Sequence, residues 1–211
     1  MSALRRARER RDKTGVLARL LASPADLCEA VDEGDVESVE FAVQCGYEIN
    51  NMHYNMYYRE TLSVLIHACS ARHPQFPNPD MVATILRLGG DPNYVSPGGH
   101  WCALVAIIRM YDSTWSHDQD HAHTCMRLIV NHPESDLNLR VRRNSTALMV
   151  AADYHLPSFI KLLLEAGANP LLVNDRGQTA LDIYVENRQD HEDHEDDAPC
   201  IDMLQVSGLS P

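Results

Sequence analysis

A dense collection of metal-ligating side chains lies between Met110 and His123, where His117, His121 and His123 stand among Asp112, Asp118 and Asp120. Imidazole and carboxylate at this density can hold zinc or another divalent cation. Structural zinc sites, however, bring cysteine at fixed spacing, and Cys125 is the only one nearby. The segment therefore reads as a polar, exposed loop. The run His191-Glu192-Asp193-His194-Glu195-Asp196-Asp197 carries the same donors. Its histidines are three residues apart and do not make the H-E-x-x-H order of a metalloprotease helix, so it reads as a solvated acidic loop able to attract a basic partner. The six cysteines, Cys28, Cys45, Cys69, Cys102, Cys125 and Cys200, include no C-x-x-C pair. Several fall on apolar positions of helical patterns, where a thiol serves as a small hydrophobe. No phosphate-binding loop, dinucleotide fingerprint, G-x-S-x-G elbow or kinase signature occurs. No catalytic residue, metal ligand or cofactor is assigned, and the chain is not expected to be an enzyme.

What recurs instead is a scaffold. Leu148 and Leu181 are 33 residues apart, Leu148 precedes Gly167 by 19, and the same 19 separates Leu27 from Gly46. The markers frame a short apolar helix opened by threonine (Thr146-Ala147-Leu148-Met149-Val150-Ala151-Ala152), a leucine-rich second helix, and a turn at Gly167-Ala168-Asn169-Pro170. Thr146 can cap a helix by accepting from a free backbone N–H, and Gly167 suits the left-handed end of another. Together with Asn174-Asp175-Arg176-Gly177-Gln178-Thr179-Ala180-Leu181-Asp182-Ile183, these stretches resemble the ankyrin repeat, in which T-P-L-H-x-A-A opens the first helix and G-A-D-x-N leads into a hairpin. The resemblance implies an all-α chain, an ankyrin-repeat solenoid of about five helix-turn-helix repeats with β-hairpin connections, whose work is to bind another protein. The repeats fall near 24–55, 60–95, 100–140, 144–174 and 177–206. In the third, Glu134 stands where the usual glycine would; the fifth reads as a degenerate cap with the short second helix Cys200 to Leu204. A basic arm, 1–23, precedes this domain of 24–206, and a short tail, 207–211, follows.

One helix pair cannot bury its own apolar face, so such units stack and leave an extended surface for a partner. Departures from the period mark where that surface is individual. Leu27 to Leu65 spans 38 residues, Leu65 to Leu104 spans 39 and Leu104 to Leu148 spans 44. The extra residues fall in the hairpin at 51–58, in a proline-rich connector at 70–79 and in the histidine segment at 110–123. The first insertion gathers Tyr54, Met56, Tyr57 and Tyr58 on a finger expected to be exposed. Tyrosine and methionine combine contact area with adaptability, which suits an interface. Tyr94, Trp101, Arg140, Arg142, Arg143 and Arg176 join them as candidate partner contacts.

The formal net charge of −12 divides unevenly: residues 1–23 carry +5, which leaves −17 on the rest. An acidic body repels phosphate backbones and draws a basic partner surface, so no nucleic acid is expected on the folded part. The arm is expected to be a solvated basic helix, with nuclear targeting and organelle import as competing roles. No secretory signal or membrane span is read, and unpaired cysteines fit a reducing compartment. An intracellular, mainly cytoplasmic protein that is a monomer by itself is expected. Beside an adaptor that docks one or more proteins stand two alternatives: a structural subunit of a larger assembly anchored by the arm, and a metal-binding scaffold using His117, His121 and His123.

Overall fold

A computed structural model describes residues 24–55, 59–70, 77–112, 119–187 and 197–206. Local chemistry explains where its helices start. Asp35 accepts the Ser38 N–H at 3.1 Å, Asn78 Oδ1 accepts those of Asp80 and Met81, and Thr146 Oγ1 accepts that of Met149 at 3.3 Å. Each satisfies a donor that the first turn of a helix leaves free. Thr179 and Asp182 cap reciprocally: Thr179 N–H donates to the Asp182 carboxylate at 2.8 Å, and Asp182 N–H to Thr179 Oγ1 at 3.2 Å.

Ten helices result among the described residues: α1 Pro24–Asp32, α2 Val36–Gln44, α3 Val64–Ser70, α4 Pro79–Arg87, α5 Ala103–Asp112, α6 Gln119–Val130, α7 Ala147–Asp153, α8 Pro157–Glu165, α9 Ala180–Asn187 and α10 Asp197–Val206. They pack in two rows. Helices α1, α3, α5, α7 and α9 touch in that order, α2, α4, α6, α8 and α10 touch in theirs, and each pair joins the rows. The core runs between the rows as one cluster, from Leu27 and Val31 through Leu65, Ile85, Ile107 and Met126 to Phe159, Tyr184 and Leu204. Small residues allow this spacing: Ala151 and Ala152 are fully buried where α7 meets its neighbours.

The second-row helices α2, α4 and α8 end alike. Gly46, Gly89 and Gly167 take φ of 91°, 88° and 97°, and the next residue's N–H returns to a carbonyl five positions back, as Ala168 does to Leu163 at 2.9 Å. A side chain in that left-handed region is strained, which is why glycine stands there. Glu134, in the corresponding place after α6, keeps a negative φ. The turn there is built differently, from the N–H of His132 to the Ile129 carbonyl and the N–H of Ser135 to the His132 carbonyl.

Three expectations change. Among the described residues only one connection is a β-hairpin, β1 His53–Asn55 against β2 Glu60–Leu62, with His53 opposite Leu62. The later fingers are closed chiefly by turns and one backbone bond each, Ser96 N–H to Trp101, Val141 to Ser145 and Asn174 to Gln178. They are too short for a ladder, and further bonds, such as Gly99 N–H to the Ser96 carbonyl and Gly177 N–H to that of Asn174, stay within each finger. The histidine segment is not one exposed loop: α5 runs to Asp112 and α6 starts at Gln119, so His121 and His123 are helical, and His123 packs on Tyr111 and Phe159 with ring centroids 5.5 and 4.9 Å away. His117 lies outside the described residues, as do 191–196. The last helix, α10, is ten residues long rather than the five expected. None of the described helices is long and apolar enough to cross a membrane.

Candidate functional site: the finger row and the concave face

The turns that join successive helix pairs project as a row of fingers, and one side-chain type fastens the row. Asn50 Oδ1 accepts the Asp91 N–H at 2.8 Å, Asn93 Oδ1 accepts that of Asp136 at 2.7 Å, and Asn138 Oδ1 accepts that of Asn169 at 2.8 Å. Each acceptor's amide comes from one finger and each donor from the next. Within a finger the aspartate or asparagine two positions earlier accepts in turn, as Asp91 Oδ1 does from Asn93 N–H at 2.8 Å. The ladder stops at Leu171, which occupies the asparagine column and carries no amide.

Near the tips, further bonds cross between fingers. Ser96 Oγ donates to Glu60 at 2.6 Å, and His100 Nδ1 meets the same carboxylate. His100 Nε2 faces the Arg142 guanidinium, while the Arg142 N–H donates to the Gly99 carbonyl at 2.6 Å. Asp175 N–H donates to the Arg143 carbonyl at 3.0 Å, and Arg140 donates to the carbonyls of Asn144 and Val173 at 2.6 and 2.9 Å. Gly98 has no room for a side chain, because a Cβ there would strike the Glu60 carboxylate. The fingers thus form a braced surface.

The structure brings several candidate contacts together on that surface. Tyr54 stands out from the hairpin, 58% exposed. Tyr94 is half-buried with its hydroxyl near the Thr61 carbonyl and Met52 Sδ, and burial with the nearby Glu60 charge raises its pKa. Trp101 is half-buried beneath Arg109, whose guanidinium lies 5.0 Å from the ring centroid. Arg140 is engaged in bracing, whereas Arg142, Arg143 and Arg176 are exposed at the tips of the third and fourth fingers. Arg143 and Asn144 both take φ of 60°, an uncommon conformation for two consecutive residues with side chains. Met56, Tyr57 and Tyr58 lie outside the described residues. Sequence reasoning passed over Leu171 and Val173, 62% and 43% exposed on the fourth finger; only the mismatch between an apolar residue and a turn position signals them.

A cleft of about 160 Å³ opens between the last two fingers and helices α7 and α9. Arg143, Arg176, Asp153 and Glu186 line it with both signs of charge.

Behind the hairpin, Cys28 of α1, His53 of β1 and His67 of α3 converge, all buried. His67 Nε2 lies 2.9 Å from Asp32 Oδ1. Burial pushes the Cys28 thiol up to about 12, with the Asp32 charge adding. Burial also holds His53 down to about 4, helped by His67 and opposed by Asp32. The spacing of these three residues, 25 and 14 positions, carries no motif.

The sequence matches no curated protein. Residues 128–183 match the family model described as ankyrin repeats (many copies), spanning α7, α8 and the start of α9 with the fingers between them. Ankyrin repeats are generally protein–protein interaction modules, using the extended surfaces that stacking creates. With their capped helices and left-handed glycine turn, residues 128–183 are similar to ankyrin repeats.

Proposed function

We propose that the five helix pairs form a single ankyrin solenoid over residues 24–206, whose fingers and concave face dock a partner protein, and that the chain is an adaptor rather than an enzyme. The observation that carries this reading is where apolar surface stays uncovered. Of the five exposed large apolar side chains among the described residues, Met52, Tyr54, Leu171 and Val173 stand on fingers. Uncovered aromatic and aliphatic side chains on a rigid frame are the raw material of an interface. Arg142, Arg143 and Arg176 stand on the same row in a chain of net charge −12. The third and fourth fingers therefore suit an acidic stretch of the partner, while the rest of the body draws basic surfaces and repels nucleic acid. The chain itself works as an intracellular monomer.

Affinity capture from the native source with the wild-type chain, repeated with two variants, tests this. One variant combines Tyr54→Ala, Leu171→Ser and Val173→Ser; the other combines Arg142→Glu, Arg143→Glu and Arg176→Glu. Each is expected to weaken capture of the wild-type partner at least tenfold while far-UV circular dichroism and melting temperature stay near wild type. Undiminished capture by both folded variants removes the fingers as the docking surface.

A further inference from the structure

Cys28, His53 and His67 come from three separate elements, and one donor atom of each lies within 4.8 Å of the other two. Zinc bonds of about 2.0–2.3 Å put neighbouring donors about 3.3–3.6 Å apart, so shifts of about 1 Å bring the three donors to bonding distance and leave the fourth tetrahedral position to water. Two further observations aim at a cation. Both ring nitrogens of His53 are buried and meet no hydrogen-bond partner among the described residues, in a residue only 9% exposed. A core histidine is normally satisfied; this one bears the desolvation of both nitrogens, with the edge-on ring of His67 beside it, centroids 4.9 Å apart. The second observation is Asp32, held 2.9 Å from His67 Nε2. A carboxylate on an imidazole is the usual outer support of a metal-binding histidine.

The geometry points to a Zn²⁺ site formed by Cys28 Sγ and one ring nitrogen each of His53 and His67, with Asp32 orienting His67. A thiolate with two imidazoles selects zinc over magnesium or calcium, which require oxygen donors. Binding exchanges the thiol proton of Cys28 for the metal: one Zn²⁺ enters, one Zn–S bond forms and one proton leaves to solvent. The consequence is mechanical. Strand β1 belongs to the inserted hairpin, so a metal shared by α1, β1 and α3 staples that finger to the first two helix pairs and fixes the base from which Tyr54 projects. None of these donors is among His117, His121 and His123, which attract attention in the sequence.

The test is titration of the chelator-treated full chain with Zn²⁺ by calorimetry and with Co²⁺ by near-ultraviolet absorption. One equivalent per chain, a thiolate-to-cobalt charge-transfer band, proton release and a raised melting temperature are expected. Cys28→Ser and His53→Gln should each abolish the band and weaken binding at least tenfold; replacing His117, His191 and His194 together by alanine should leave both intact. A wild-type chain that takes up no stoichiometric metal overturns the site, even where a ligand variant fails to fold. So does uptake that survives Cys28→Ser but is lost with the three other histidines.

Discussion

Replacing Asn93 by alanine removes the rung that joins the second finger to the third. Asn93 Oδ1 accepts the Asp136 N–H at 2.7 Å and its Nδ2 donates to the Glu134 carbonyl at 2.6 Å, so one truncation takes partners from two backbone groups. Each hydrogen bond contributes about 0.5–1.5 kcal/mol net. The rung is open to solvent and water replaces part of it, so the lower half of the combined range applies, about 1–2 kcal/mol. For a chain of this length that lowers Tm by about 2–8 °C. In a stack each unit contacts only its neighbours, so the loss falls at one junction and the helix pairs on either side keep their own packing. Urea denaturation followed by far-UV circular dichroism measures it, with Asn50→Ala as a second rung and Leu171→Ala as the control. Leu171 occupies the same column but supplies no amide. If Asn93→Ala costs no more than Leu171→Ala, the ladder does not hold the fingers in register and the reasoning fails.

Gly167→Ala should lose about 1 kcal/mol in thermal melts, because φ is 97° although a Cβ there would touch nothing; a neutral result would show that the turn relaxes freely. Arg143→Gly, where φ is 60°, should gain about 1 kcal/mol by the same logic while weakening partner capture. Asp182→Ala should cost about 0.5–1 kcal/mol at pH 7 by removing the reciprocal cap on α9. Hydrogen bonds from Thr179 lower the Asp182 pKa, so its contribution is present above the ordinary aspartate value and is lost as pH falls through the lowered one. Wild type and variant should therefore converge in acid, and a gap that persists there would assign the loss to packing. Thiol labelling of the native chain should mark Cys45 first, since the other five cysteines are buried and burial raises the thiols of Cys28, Cys69, Cys102 and Cys125; fast labelling of those four would contradict the core.

Local physics was legible in the sequence wherever the cause is local. Thr146 caps α7 because its hydroxyl reaches three residues on, and Gly167 ends α8 because of its own φ; both were read from residue type and position. The D-x-N turns were legible as turns, but the far end of each asparagine bond is 31 to 43 residues away, and sequence separation does not say which backbone amide is waiting. The candidate contacts divide for the same reason. Tyr54 was read as exposed from its place on an inserted finger. The bracing of Arg140 and the stacking of Trp101 under Arg109 depend on the next finger and the next helix. Cys28, His53 and His67 were silent because three elements must fold before they meet, whereas His123 drew notice by density alone and is spent on packing against Tyr111 and Phe159.

The ladder also explains why insertions of such different lengths leave the stack undisturbed. Its rungs span 41, 43 and 31 residues, yet each is the same bond at 2.7 to 2.8 Å. The connectors at 70–79 and 110–123 leave the chain between the two helices of a pair, whereas the rungs and glycine turns lie between one pair and the next. In these two connectors the added chain enters away from the rungs, and its closure cost grows only slowly with length. Had the rungs depended on a fixed sequence period, eleven extra residues would have broken one of them. They depend instead on the separation of adjacent folded pairs, which helix packing sets. A contact surface built on that row keeps its spacing whatever is inserted behind it, which is the physical reason the fingers, rather than the connectors, suit the docking of a partner.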